Sequence, residues 1–223
     1  MIHKWLGRVR LMPGADRLFR RIASASDRNQ LEDYLAEVMY SLVFAGLGFQ
    51  VEIEPFGGKG PDLRVSRNGH SAIVEVMRFR KMYPGPTVID PTAIDPTDDY
   101  QELPAYGDPG RDIRKTFGKI RWKFRQTENA EAIIAIWNDD EDLEDTAVLM
   151  AVHDIRRDTA RSLLLPPIDL LFVLYGSKWV RAGDRKQLYC FPLRDSEQPH
   201  QVTWQQELAS SSVSQLIQRA LVS

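Results

Sequence analysis

Between residues 27 and 79 the spacing of apolar positions changes from a helical to an alternating period, which predicts one helix followed by strands. Leu31, Leu35, Val38, Leu42 and Ala45 recur with helical spacing and form a core stripe. Asp27, followed three residues later by Gln30, reads as an N-cap pair, and Gly46 and Gly48 stop the helix at Ala45. Phe49 to Glu54 and Leu63 to Val65 read as short strands, joined by a turn through Gly57, Gly58, Gly60 and Pro61. Asn68-Gly69 is a tight hairpin signal, so Ser71 to Phe79 is a third strand, antiparallel to the second. On it Ile73, Glu75, Met77 and Phe79 share one face, and Ala72, Val74, Val76 and Arg78 share the other.

Outside this block the pattern predicts further elements. Residues 1–26 are basic, with Lys4, Arg8, Arg10, Arg17, Arg20 and Arg21 against Asp16; they read as a solvated short helix packed by Trp5, Leu18, Phe19 and Ile22, or as a nucleic-acid arm. Residues 81–110 are rich in Pro and Asp and form a long loop that leaves the Glu75 strand. Arg111 to Gln126 is a basic helix with Ile113, Phe117, Ile120 and Phe124 as its apolar stripe. Ala132 to Trp137 is a continuous apolar run, hence a buried central strand parallel to the Glu75 strand. Thr146 to Arg157 reads as a helix, Asp169 to Tyr175 as a buried strand, Lys186 to Phe191 as an edge strand, and Val213 to Leu221 as a terminal helix.

A length of 223 residues suits one domain with a sizeable core. The formal charge of −2 argues against a wholesale polyanion binder, but the basic and acidic blocks alternate, and that leaves room for a locally basic groove. One cysteine, Cys190, excludes an internal disulfide framework and a Cys-rich zinc site. With no long apolar segment, the expected location is the cytoplasm, with no membrane partner. The turn FGGKGPDL lacks the Gly-Lys-Ser/Thr ending of a phosphate loop and precedes a strand, which removes the basis for phosphate cradling. Four scattered histidines give no zinc or nucleophilic constellation.

What remains is a set of carboxylates. Asp62 lies at the start of the second strand and Glu75 within the third, where an ionised side chain needs a compensating charge. Pro61-Asp62, then Glu75-Val76-Met77, with Glu37 on the preceding helix, resembles the PD-(D/E)XK signature of restriction-endonuclease-like nucleases over about residues 27–137. The resemblance implies an α/β fold, a mixed central β-sheet flanked by helices on both faces. It also implies Mg²⁺ or Mn²⁺ held by Asp62, Glu75, the Val76 carbonyl and Glu37 as an auxiliary ligand. The chain departs from the family at Met77, where members carry a lysine that positions the attacking water. Lys119 or Lys123, one helical turn apart on the basic helix, is the expected substitute. Lys59, Arg78, Lys115, Lys119, Lys123 and Gln126 are the expected nucleic-acid contacts. The implied activity is metal-dependent phosphodiester hydrolysis, with DNA the favoured partner and a homodimer an open assembly. The alternative is a non-catalytic member of the fold that binds nucleic acid or protein.

Overall fold

The computed structural model describes residues 2–57, 60–79, 131–138, 153, 157, 170–175, 188–192, 206–208 and 210–223. Two short helices, α1 (Ile2–Val9) and α2 (Ala15–Ala23), precede the long helix α3 (Arg28–Gly46); α4 (Val213–Val222) ends the chain. The strands are β1 (Gln50–Ile53), β2 (Leu63–Arg67), β3 (His70–Phe79), β4 (Glu131–Asn138), β5 (Leu170–Tyr175) and β6 (Leu188–Pro192). They lie in the sheet in sequence order. β1, β2 and β3 are antiparallel, β3, β4 and β5 are parallel, and β6 returns antiparallel at the edge. The chain is therefore an α/β protein with a mixed sheet packed against helices.

Local chemistry fixes the start of this arrangement. The Asp27 side chain accepts from the Gln30 N–H at 2.9 Å and caps α3; the Gln30 amide oxygen reaches back to the Ser26 N–H at 2.7 Å. Asn68 (φ 53°) and Gly69 (φ 80°) make the two-residue turn between β2 and β3, with Arg67 opposite His70. That turn sets the register, so Leu63 faces Val74 and β2 begins just where Glu75 follows.

The core lies between α3 and one face of the sheet. Val51, Ile53, Leu63, Val65, Ala72, Val74, Val76, Ile133, Ala135 and Trp137 pack there with Val38, Leu42 and Phe44 of α3. Each large side chain removed from water contributes about 1.5–3 kcal/mol. The single apolar stripe expected on α3 is too narrow a description. Every residue from Ala36 to Phe44 is buried, because the sheet covers one side while α1, α2 and α4 pack on the others. Tyr40 extends from α3 to donate to the Ile136 carbonyl of β4 at 2.6 Å.

Two glycines permit close approaches. A Cβ on Gly46 would stand 1.9 Å from the Leu216 carbonyl oxygen, so α3 and α4 approach backbone to backbone. Gly14 (φ 82°) has its α-carbon against the Ile53 carbonyl, and the Ile53 N–H donates to Pro13 O at 2.8 Å. The corner between α1 and α2 is thereby tied to β1, which places α2 above the end of that strand.

Residues 1–26, expected as one helix or an arm, form the two docked helices α1 and α2, with Trp5, Val9, Ala15 and Leu18 buried. The long loop expected at 81–110 and the basic helix expected at 111–126 lie outside the described residues, as does most of the helix expected at 146–157. No helix among the described residues is long and apolar enough to cross a membrane.

Candidate active site

Asp62 sits at the mouth of β2, half-buried, where its backbone carbonyl accepts from the Glu54 N–H at 2.7 Å. Its Oδ2 accepts from the Val76 N–H at 2.8 Å. β2 is too short to offer that N–H a ladder carbonyl, since Leu63 already faces Val74; the Asp62 carboxylate takes its place. A carboxylate is thus fixed on the backbone one residue from Glu75.

Glu75 is 5% exposed and lies opposite Ile134 of β4. Strand alternation puts it with Ile73 on the sheet face turned away from α3, whereas Ala72, Val74 and Val76 join the α3 core. Met77 follows on the Glu75 face, half-buried. Glu37, 5% exposed, comes from α3 on the opposite side of the sheet.

The cation beside Glu37 is Arg21 of α2, which no local pattern singles out from its basic neighbours. Arg21 Nη1 donates to Glu37 Oε1 at 3.1 Å and Nη2 to Oε2 at 2.5 Å, a two-point pairing. Its Nε lies 2.6 Å from Glu54 Oε1. The guanidinium also stands 4.7 Å from the Tyr34 ring centre.

Glu54 is the second residue that sequence reasoning missed. Alternation along β1 would place it beside the partly exposed Glu52, but its φ of 48° turns the chain into the left-handed region and its side chain is 6% exposed. Arg17 Nη1 donates to the Glu54 carbonyl at 3.2 Å. Arg17 and Arg21 are four apart on α2 and converge on one residue.

These groups share one electrostatic environment. Burial raises the Glu37 carboxyl to about 8, the nearby Asp62 and Glu54 charges push the same way, and Arg21 only partly offsets them. For Arg21, burial alone would lower the pKa, but Glu37, Glu54 and Asp62 outweigh it and raise it. The two shifts pull apart on Glu37: the Arg21 pairing favours its ionised form, whereas burial and two neighbouring carboxylates favour the protonated one. The second pair of effects dominates for Glu37, since one partly exposed guanidinium faces three carboxylates; Arg21 stays charged in either case.

Comparison with protein families, curated proteins and solved structures gave no match.

The other residues singled out in the sequence are distributed as follows. Arg78 turns toward the N-terminal half of α3, with Nη2 at 2.7 Å from Glu32, Nη1 at 3.6 Å from Asp33, and a hydrogen bond from Nη1 to the Asn29 carbonyl at 3.2 Å. Its side chain is 6% exposed, a poor position from which to meet a phosphate. Lys59, Lys115, Lys119, Lys123 and Gln126 lie outside the described residues. A cavity of about 480 Å³ lined by Leu11, Pro13, Phe49, Val51 and Glu52 runs along the outer edge of β1 and involves none of Glu37, Asp62 or Glu75.

Proposed function

We propose that this domain is a metal-dependent nuclease of the restriction-endonuclease-like kind, hydrolysing phosphodiester bonds in DNA around Asp62 and Glu75. The observation that supports this reading most is the 2.8 Å bond from the Val76 N–H to Asp62, which holds that carboxylate on the backbone one residue from Glu75. Glu37, electrostatically coupled to Asp62, is the auxiliary acid.

Carboxylate oxygens and the Val76 carbonyl have the hardness that Mg²⁺ or Mn²⁺ requires. Their present arrangement does not fit such an ion. Glu37 and Glu54 are turned onto Arg21, Asp62 onto the Val76 N–H, and among the described residues no three Asp, Glu, His or Cys side chains converge at ligand spacing. In this reading Lys119 or Lys123 supplies the ammonium group that Met77 does not, and Lys59, Lys115 and Gln126 meet the flanking backbone in a sequence-independent, salt-sensitive way.

A second reading, a non-catalytic DNA- or protein-binding member of the same fold, draws its support from Met77 at the lysine position and from the carboxylates being already engaged. The two part on one experiment: wild type and Asp62→Asn are incubated with linear, nicked and branched DNA in Mn²⁺, with binding measured in parallel. Asparagine keeps an oxygen for the Val76 N–H, so the fold is held while a charge is removed. The nuclease reading expects cleavage by wild type, loss of cleavage in the variant, and retained binding. If neither protein cuts and both bind the same DNA equally, the second reading replaces the first.

A further inference from the structure

A phosphodiester backbone brought to Asp62 needs cations at the rim of the centre, and Arg78, expected in that role, is already engaged by Glu32 and Asp33. We infer that Arg17 and Arg20 of α2 form that rim and hold two backbone phosphates of a DNA strand beside Asp62. The inference rests on the DNA-directed reading above and assigns its contact surface.

Helix α2 has two unlike sides. Ala15 and Leu18 are buried, and Phe19 and Ile22 pack against the core, whereas Arg17, Arg20 and Arg21, at i, i+3 and i+4, share the opposite side. The three arginines differ in what they meet. Arg21 turns into the centre and is neutralised by Glu37 and Glu54. Arg17 stays exposed, with its Nη1 donating to the Glu54 carbonyl at 3.2 Å. The same Nη1 lies 3.3 Å from where a Cβ on Gly57 would stand, so the guanidinium rests on the turn that leads from β1 to Asp62. Glu54 in turn donates its N–H to the Asp62 carbonyl at 2.7 Å, which places Arg17 two hydrogen bonds from the Asp62 backbone. Arg20 is exposed as well, and its Nε makes a long 3.4 Å contact to the Asp16 carbonyl of its own helix. Among the described residues neither Arg17 nor Arg20 has a carboxylate within ion-pair distance, although Asp16 stands four residues before Arg20. Like charges at this spacing repel on a bare helix, and a bound polyanion relieves that repulsion. Residues three apart on a helix have Cβ atoms about 5–6 Å from each other, so the two guanidiniums can meet separate phosphates of one strand. Each guanidinium keeps N–H donors in the planar fork that matches phosphate oxygens.

Binding of a labelled DNA duplex is measured by fluorescence anisotropy over a range of KCl, in EDTA and in Mn²⁺. The proteins are wild type, Arg17→Gln/Arg20→Gln, Arg17→Lys/Arg20→Lys and Arg219→Gln, the last removing one charge from an arginine of α4 that is 55% exposed. The glutamine pair is expected to bind about tenfold more weakly and to lower the slope of log K against log salt by about 2, one for each phosphate contact. The lysine pair keeps the slope, and Arg219→Gln stays within about twofold of wild type. Urea unfolding checks that each variant is folded; Arg20→Gln alone, which breaks no contact beyond its own helix, carries the test if the pair is not, with a slope lowered by about 1. Unchanged affinity and slope in the folded glutamine variants, an equal loss in Arg219→Gln, or no binding by wild type overturns the inference. Its fate separates from that of the nuclease reading. Asp62-dependent cleavage by wild type with unchanged DNA binding in the Arg17 and Arg20 variants sinks only the contact surface, whereas arginine-dependent binding with no cleavage by any form sinks only the activity.

Discussion

The burial of Glu37 makes the stability of this domain depend on pH in a direction opposite to that of an ordinary ion-paired carboxylate. The carboxyl is held at about 8 in the folded chain against an ordinary 4.5, so the folded state keeps its proton over a range in which the unfolded chain releases it. Stability is then greatest below about pH 4.5, declines as pH rises towards 8, and is flat above that. At ~1.4 kcal/mol per pH unit the full span is worth roughly 5 kcal/mol as an upper bound. Glu37→Gln keeps the shape and removes the proton. Urea unfolding of both proteins between pH 5 and pH 9 isolates the residue as the difference between two stability curves. Wild type is expected to lose about 2–4 kcal/mol relative to the variant across that range. A difference that stays constant, or that grows in favour of wild type as pH rises, refutes the reasoning: the second outcome is the behaviour of a carboxylate that Arg21 holds ionised.

Three further substitutions probe the scaffold around the centre. Gly46→Ala gains helix propensity of about 1 kcal/mol but drives a Cβ to 1.9 Å from the Leu216 carbonyl, so α4 must shift, and a net loss of about 2 kcal/mol or more in thermal or urea unfolding is expected. Tyr40→Phe removes the donor to the Ile136 carbonyl in a buried setting and is expected to cost about 1–2 kcal/mol by the same measurement. Asp62→Ala leaves the Val76 N–H without its acceptor and is expected to cost about 1–3 kcal/mol, whereas Asp62→Asn costs less; faster amide exchange at Val76 in the alanine variant alone would locate the effect.

The parts of the fold that are local in sequence were readable from it. The Asn68-Gly69 turn fixes the register of β2 on β3, and register alone brings Asp62 to the residue before Val76. The apolar run Ala132 to Trp137 reads as a central parallel strand and is one, paired with β3 from end to end. The cap at Asp27 and the stop at Gly46 bound α3 within a residue. What escaped was tertiary. Arg21 is one of six basic residues in the first 26, and nothing local distinguishes the one that meets Glu37. Glu54 continues an alternating strand on paper, and only its left-handed backbone turns it inward. α3 resembles an amphipathic surface helix because it carries Glu37, Tyr40 and Ser41, buried polar groups that meet Arg21, the Ile136 carbonyl and the helix's own backbone in place of water. Arg78 shows the converse: alternation correctly turns it from Glu75, and Glu32 and Asp33 of α3 then capture it.

At the centre of this account is the claim that one guanidinium gathers Glu37 and Glu54, from separate elements, into a single coupled group beside Asp62. A double-mutant cycle between Arg21→Gln and Glu37→Gln, read by urea unfolding at pH 9, where Glu37 is ionised, tests it most directly. The account predicts a coupling energy of about 2 kcal/mol or more, the double variant losing less than the two single losses together. Additivity within about 0.5 kcal/mol would contradict it.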